Sequence, residues 1–529
     1  MRRQKKFYAW GYADEDLSAD EIGPWEAEIA QRYGLDGFDV TPPPKADEIT
    51  LRAPRVTVPA GLQSLVHTDH LTRLEHSYGK AGFDTTRMFM RSVPNPPDAI
   101  AFPETEQDVV RVLDWCSSIG ATAIPYGGGS SVVKGIEAPA AADKVVTIST
   151  RHMDKVLEVD PVSQAARIQG GIYGPAIEDQ LRDSPFTMRH YMQAYRCSTL
   201  GGWIATRSGG HYATLYTHID DFVESTRVVT PAGTLETRRL PGSGAGPSPD
   251  RLFIGSEGIL GIITEAWVRL RKKPTFRASA SVRFKDFFAG ADAVRDITQA
   301  NLYPANCRLL EAREALPGMP WSSEEAVLVL AFESADHPLH AWMKRALEIC
   351  AAHGGVADAG ADDENAHRSG AAGAWRNRFI RAPHYGEHAV ARGILSSTFE
   401  TSMTWERFRD FHQKITKITR DAIKRVTGRD GTVTCRFTHV YPDGPCLYFT
   451  FGGILDKRRQ LEQFMEVLST CTAATVEHGG TTTHHHAVGR FHRPFYDKQR
   501  PELFARALRG AKRELDPKGM MNPGVLIDP

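Results

Sequence analysis

Three consecutive histidines, His484, His485 and His486, stand out as side chains able to do chemistry in this 529-residue chain. Imidazoles bind metals, move protons near neutral pH, or simply donate and accept hydrogen bonds. All three uses stay open from the run alone. Adjacent residues cannot all face one way. In an extended segment His484 and His486 share one face and His485 takes the other. A metal would need further ligands, and His439 and Asp443 are the nearby candidates. The second feature is Pro125-Tyr126-Gly127-Gly128-Gly129-Ser130-Ser131. Three glycines leave no side chain in the way and permit positive φ, so several N–H groups can converge on an anion such as a pyrophosphate. A plain turn satisfies the same three glycines. Two more glycine-rich stretches follow, at 198–210 and 255–265.

The elements that position these groups follow from periodicity and punctuation. Residues 99–102 read as a strand. Thr105 caps a helix with Val109, Val110, Leu113 and Cys116 on one face, ended by Gly120. Residues 121–124 are the next strand and deliver the glycine loop. The dinucleotide fingerprint places its glycines after the first strand, at the start of a helix, so this order argues against a Rossmann fold. Strands follow at 145–148, 156–159 and 165–169, then a helix from Gly174-Pro175 to Leu181. Residues 222–230 and 234–237 form a hairpin. Beyond Lys272-Lys273-Pro274 the pattern changes. Strands at 276–284, 326–332, 432–440 and 446–451 alternate with helices at 286–300, 337–353, 404–426 and 456–477. Residues 354–372 read as a mobile loop. At the ends of the chain, helices are expected over 13–33 and 501–514.

Composition sets outer limits. Lys plus Arg and Asp plus Glu both number 64, which argues against a nucleic-acid partner held by bulk charge. Seven scattered cysteines with no CxxC pair suit a reducing compartment better than a disulfide scaffold. No run is apolar enough for a signal core or a membrane span, and Leu526-Ile527-Asp528-Pro529 is not a peroxisomal tripeptide. A cytoplasmic location is therefore expected. The basic start with Phe7, Tyr8 and Trp10 offers a peripheral membrane contact or, more simply, a tail folded onto its own domain.

Taken together and in order, the three glycine segments resemble the FAD-binding domain of the vanillyl-alcohol-oxidase/para-cresol-methylhydroxylase superfamily. Asp516-Pro517 with Asn522-Pro523-Gly524 resembles its closing motif. Within that superfamily the chain is most similar to the alkyldihydroxyacetonephosphate synthase family. Trp10-Gly11-Tyr12, Phe399-Glu400-Thr401-Ser402 with Trp405, Cys435-Arg436 with Tyr441 and Cys446-Leu447-Tyr448-Phe449, and the triple histidine before Val488-Gly489 carry that likeness. The resemblance implies an α+β protein: a two-subdomain FAD-binding domain and an α+β cap with an antiparallel sheet. The expected boundaries are an N-terminal helical extension at 1–95, the FAD domain at 96–275, the cap at 276–480, and a segment at 481–529 returning to the flavin.

The same resemblance assigns roles. FAD is expected at Pro125, Tyr126, Gly127, Gly128, Gly129, Ser130, Ser131, Gln193, Ser198, Thr199, Gly201, Gly202, Thr206, Arg207, Ser208, Gly209, Glu257, Gly258, Leu260, Gly261, Ile262 and Ile263. It is expected to be non-covalent, because Ser130-Ser131 stand where some relatives carry a linking histidine. Tyr448 matches the family's acid/base, a phenol whose pKa must be lowered to act near neutrality. His484, His485, His486, Arg308 and His190 match other active-site positions, and Arg381 matches an arginine that forks a substrate phosphate. Flavin-linked hydroxyacid dehydrogenases carry a histidine pair and a Glu-His where this chain offers Tyr448 and the histidine run, so no metal is expected.

The activity implied is exchange of the acyl chain of acyl-dihydroxyacetone phosphate for a fatty alcohol. A base removes a proton from C1, the flavin N5 takes the place of the departing fatty acid, and the alcohol displaces the flavin. The alternative is an FAD-linked oxidase or dehydrogenase of a 2-hydroxy acid or alcohol. A non-catalytic flavin binder would not need Tyr448, Arg381 and the histidines together. Lipid-like small molecules are the expected partners, with a homodimer as the expected assembly.

Overall fold

The computed structural model describes residues 3–312, 314, 324–358, 373, 377 and 381–528. Strands β1 (Val66–His67), β2 (Ala99–Ala101), β3 (Thr122–Tyr126) and β4 (Val145–Ser149) form a sheet in the order β1-β2-β4-β3. Both β2 and β3 run parallel to β4, which lies between them. The crossover from β2 to β3 is helix Glu106–Ile119. Its first turn is closed by a capping box: Thr105 Oγ1 accepts from the Asp108 N–H, and Asp108 accepts from the Thr105 N–H. Such a cap contributes about 1 kcal/mol. Gly120, at φ 64°, ends the helix in a conformation that costs glycine little. Val109, Val112, Leu113 and Cys116 are buried against β3, and β3 hands the chain straight to Gly127.

A second, antiparallel sheet contains β5 (Val156–Asp160), β6 (Ala165–Gln169), β8 (Val223–Thr230), β9 (Gly233–Glu236) and β10 (Ile262–Arg269), in the order β5-β6-β10-β8-β9. Strands β7 (Phe186–Thr187) and β11 (Arg271–Lys272) make a short ribbon. The third sheet has seven strands: β12 (Phe276–Phe284), β13 (Asn306–Leu310), β14 (Ala326–Ser334), β15 (Val356–Ala357), β16 (Ile394–Ser402), β17 (Thr432–Val440) and β18 (Pro445–Ile454). Its order is β15-β12-β14-β13-β17-β18-β16, antiparallel throughout.

Side chains alternate across this sheet. Cys435, Phe437, Leu447 and Phe449 enter a core with Phe408, Phe411 and Ile415 of helix Trp405–Thr427 and Phe464 and Leu468 of helix Gln460–Glu477. The intervening Arg436, Thr438, Tyr448 and Thr450 face the other way. The architecture is α+β, with an antiparallel sheet in the second half, as the resemblance implied.

The N-terminal aromatics fold inward. Tyr8 packs edge-on against Phe89, Ala9 is buried, and Trp25 of helix Ala19–Tyr33 contacts Tyr385. That arrangement is the tail folded onto its own domain. Strands β13 and β16 were not read from the sequence. Of the expected mobile loop, 354–358 form a turn leading into and through β15, and 359–372 lie outside the described residues. Among the described residues, no helix is long and apolar enough to cross a membrane.

Candidate active site

A cavity of about 530 Å³ lies between the glycine loops and the polar face of the seven-stranded sheet. One wall is backbone. It contains Gly127, Gly128 and Gly129 after β3, Gly201 and Gly202 at the start of helix Leu200–Thr206, and Gly258 and Gly261 before β10. A Cβ on Gly128 would lie 1.8 Å from the Cys197 carbonyl oxygen, and one on Gly127 would lie 2.3 Å from Thr199 Oγ1. The loops are therefore interlocked, and only glycine fits. Thr199 Oγ1 is buried at this wall with no protein partner, a polar group that a ligand must satisfy. Lys5 donates to the Gly128 carbonyl over 2.8 Å and adds positive charge beside the loop.

The C-terminal segment pins the wall from behind. Asn522 donates to the carbonyls of Gly135 and Glu257 and accepts from Arg490. The buried Lys512 ammonium pairs with Asp516 at 2.5 Å and also donates to the carbonyls of Ile259 and Met521. The Glu257 carboxylate accepts from the N–H groups of Val488 and Gly489. Burial pushes that carboxyl up to about 7 against those two bonds.

Most residues expected to touch a flavin do line the cavity, from Pro125 to Ser131, Gln193, Ser198, Thr199, Gly201, Gly202, Thr206, Ser208, Gly209, Glu257, Gly258, Gly261, Ile262 and Ile263. Two do not. Arg207 adopts φ 53° and turns its guanidinium out to Asp220, and Leu260 is fully buried in the domain core. Glycine-rich loops, a buried unpartnered hydroxyl and a cavity of about 530 Å³ fit a dinucleotide with a planar ring.

The opposite wall is made of side chains. Tyr448 on β18 pairs across the ladder with Arg436 on β17 and Glu400 on β16. Its ring lies 4.1 Å from the Arg436 guanidinium carbon, and its hydroxyl accepts a hydrogen bond from Thr398 at 3.0 Å. Burial pushes the phenol above its ordinary value, while Arg436 and Thr398 pull it back. The lowered pKa expected from the sequence is thus corrected: the site contains the right stabilisers, but the low-dielectric surroundings outweigh them before a substrate binds. Arg308 on β13 lines the cavity with Arg436. Burial and Arg436 push it down to about 9, which still leaves it charged at neutral pH.

The histidine run is not extended. The Glu400 carboxylate, wholly buried, accepts from the Thr483 hydroxyl at 2.5 Å and from the N–H groups of His484, His485 and His486 at 2.6, 3.1 and 3.0 Å. Burial works against its ionisation. The neighbouring His486 and His484 and these hydrogen bonds outweigh that and hold its pKa below the ordinary carboxylate value. Wrapping three successive N–H groups on one anion bends the chain. The outcome corrects the alternation: His485 and His486 line the cavity, and His484 points behind it towards Tyr441. The His485 ring stacks on Tyr448 with centroids 5.9 Å apart. Burial holds all three imidazoles below their ordinary pKa.

Two further expected residues are placed elsewhere. His190 is buried between Trp203 and Phe222 and bonds Ser208 Oγ at 2.9 Å, so it supports the loop under the cavity rather than lining it. Burial lowers its pKa to about 3. Arg381 forks onto Glu21 of helix Ala19–Tyr33 at 2.6–3.1 Å and does not line the cavity, although Ala382, Pro383, Tyr385 and Gly386 do.

Ligand atoms of His439, Cys446, His484 and His485 lie within 4.8 Å of one another. Their polar atoms already have protein contacts: His439 Nε2 with the Gly210 carbonyl, His484 with Tyr441 and His485, and Cys446 with Thr438. Sequence reasoning missed Arg436, Thr438, Thr398 and His439 as cavity residues. Period-two spacing from Tyr448 and cross-strand pairing would have found them only with the register known.

Family models match two parts of the chain: an FAD binding domain over residues 97–238, and the C-terminal domain of FAD linked oxidases over residues 273–526. Alkyldihydroxyacetonephosphate synthase from Dictyostelium discoideum is 28% identical over 97% of this chain and 86% of its own length. The synthase from Trypanosoma brucei brucei is 28% identical over 87% of this chain and 78% of its own. A solved alkyldihydroxyacetonephosphate synthase structure superposes with a TM-score of 0.82 at 23% identity, over 98% of this chain and 97% of that one. FAD is therefore the cofactor, and the chain carries an FAD binding domain followed by a C-terminal domain of the FAD linked oxidases, and is similar along almost its whole length to alkyldihydroxyacetonephosphate synthases.

Proposed function

We propose that this protein is an FAD-dependent alkyldihydroxyacetonephosphate synthase, exchanging the acyl chain of acyl-dihydroxyacetone phosphate for a fatty alcohol. The observation that carries the reading is the cluster of Tyr448, Arg436, Arg308, His485 and His486 on the cavity wall facing the flavin cradle. It stands beside a whole-length likeness to synthases of that name. Arg308 supplies a fixed positive charge for the substrate phosphate. Tyr448 takes the proton from C1 of the ketone, and its phenolate is stabilised by Arg436 over the ring and by the Thr398 hydrogen bond. His485 and His486, neutral through burial, can accept or donate to the exchanging oxygens. The flavin supplies the electron sink for the reacting carbon. Trp10, Phe83, Tyr385, Phe464 and Leu468 give the same cavity an apolar lining suited to an acyl or alkyl chain.

The test is to incubate the FAD-loaded protein with acyl-dihydroxyacetone phosphate and hexadecanol. Ether product, with fatty acid released in equal amount and no electron acceptor present, is the expected result. No product and no change in the flavin spectrum would sink the reading. A second reading, oxidation of a 2-hydroxy acid or alcohol, is favoured by the description of the matched C-terminal model, FAD linked oxidases. Anaerobic bleaching of the flavin by such a substrate, with dye reduction, would select it.

A further inference from the structure

The hydrogen bonds that begin at the cavity do not end there. His485 lines the cavity, and its Nδ1 lies 3.1 Å from His484 Nδ1. His484 Nε2 lies 2.8 Å from the Tyr441 hydroxyl, which in turn hydrogen-bonds His218 Nε2. His484, Tyr441 and His218 do not line the cavity. The far end, His218, is partly exposed and lies in the field of Asp220 and Asp221. Tyr441 is fixed along its backbone: its carbonyl accepts from Trp405 Nε1, and its N–H donates to the Gly444 carbonyl.

The exchange reaction gives such a path a use. The bond from C1 to the acyl oxygen breaks, and its electron pair leaves on the fatty carboxylate. A bond from C1 to the alcohol oxygen forms. C1 loses one proton and regains one, and no electrons are gained or lost overall. The alcohol's own O–H proton is left over in the cavity.

We propose that His485, His484, Tyr441 and His218 form a proton relay that carries the alcohol's proton from the cavity to the surface. The inference rests on the synthase reading. His485 is the catalytic residue that meets the alcohol. Tyr441 and His218 are positioning residues that act through it. One hydrogen per link gives a continuous outward order: His485 Nδ1–H to His484 Nδ1, His484 Nε2–H to the Tyr441 oxygen, and Tyr441 O–H to His218 Nε2. A proton arriving at His485 Nε2 then leaves from His218 Nδ1 without any ring moving. Neutral imidazoles are required for that order, and burial holds His484, His485 and His218 below their ordinary pKa. The Glu400 carboxylate, 3.7 Å from His485 Nδ1, favours charged imidazoles, and burial outweighs it; the other groups facing the relay fit its neutrality. His439 is anchored to the Gly210 carbonyl, and burial pushes the Cys446 thiol well up, so it stays protonated 4.0 Å from His485 Nδ1.

The test uses the full-length, FAD-loaded protein making ether from acyl-dihydroxyacetone phosphate and hexadecanol. Tyr441→Phe keeps the ring and removes the link. It is expected to lower kcat by about 100-fold, the scale of a lost proton-transfer group. KM and flavin content are expected to stay within about two-fold of wild type, because the change affects a step and not binding. His218→Ala is expected to fall likewise and to recover when imidazole is added. Wild-type kcat in Tyr441→Phe, or no imidazole response in His218→Ala, overturns the relay. If Tyr441→Phe loses its flavin, the imidazole response of His218→Ala decides alone. If the wild-type protein makes no ether, the synthase reading falls first and the relay falls with it.

Discussion

The two walls of the cavity are built from different parts of the polypeptide. The flavin wall is backbone, with loops so close that a single added carbon at Gly128 would overlap the Cys197 carbonyl. The facing wall is side chain, with Arg308, Arg436, Thr438, Tyr448 and Thr450 projecting from neighbouring strands of one sheet. A backbone wall tolerates almost no substitution but is indifferent to which reaction it serves. A side-chain wall can change its chemistry one residue at a time on an unchanged sheet. Cofactor retention and reaction identity should therefore fail separately.

The largest separation is expected from Gly128→Ala. Its methyl has no space, so the loops must part, and the protein should purify without flavin, read as loss of absorbance near 450 nm. Retention of full flavin content would break the comparison. Next is Tyr448→Phe, which should keep flavin and folding while ether formation falls by about 10²- to 10⁴-fold. A parallel loss of flavin would show that the two walls are not independent.

A smaller effect separates stability from either wall. Asp98, fully buried at the start of β2, accepts from Arg52, Arg55 and the Val145 N–H. Burial works to raise its pKa, but these partners lower it from 3.8 to about 2. A folded pKa below the unfolded one means that the ionised form stabilises the fold. The contribution, about 2 kcal/mol, is present above about pH 4 and is lost as pH falls towards about 2. Asp98→Asn should remove it at neutral pH, and its denaturation curve should converge with wild type in acid. A constant gap at all pH values would refute the linkage. The smallest effect is expected from Arg381→Ala. Its exposed pair with Glu21 contributes about 0–1 kcal/mol, so stability should barely change. A large rise in KM would instead place Arg381 at the phosphate, in a conformation other than the one described here.

The same contrast explains what could be read from the sequence. The cradle was legible because close packing at 127–129 admits only glycine, and a run of glycines is visible in the sequence whatever part of the chain it packs against. A motif fixes the path of the backbone but not every side chain on it. That is why Arg207 and Leu260, inside the motifs, turn away from the cavity. On the sheet, Tyr448 was found while its ladder partner Arg436 was not, because register is set by residues far apart in the chain. Strand β16 mixes Ser, Thr, Phe and Glu without clean alternation, and β13 is only five residues long. Neither announces itself. The bend at His484–His486 depends on Glu400, some 84 residues earlier, whose carboxylate gathers their N–H groups. Local spacing could not reveal that.

The clamp behind the flavin wall also sets an order of events during synthesis. The carbonyls of Gly135, Glu257 and Ile259 are fixed by Asn522 and Lys512, and Ala123 on β3 exchanges backbone hydrogen bonds with Met520 and Asn522. A nascent chain that has already folded its first two sheets still lacks these bonds until more than 500 residues have left the ribosome. Completion of this wall is thus a late event in the life of the polypeptide.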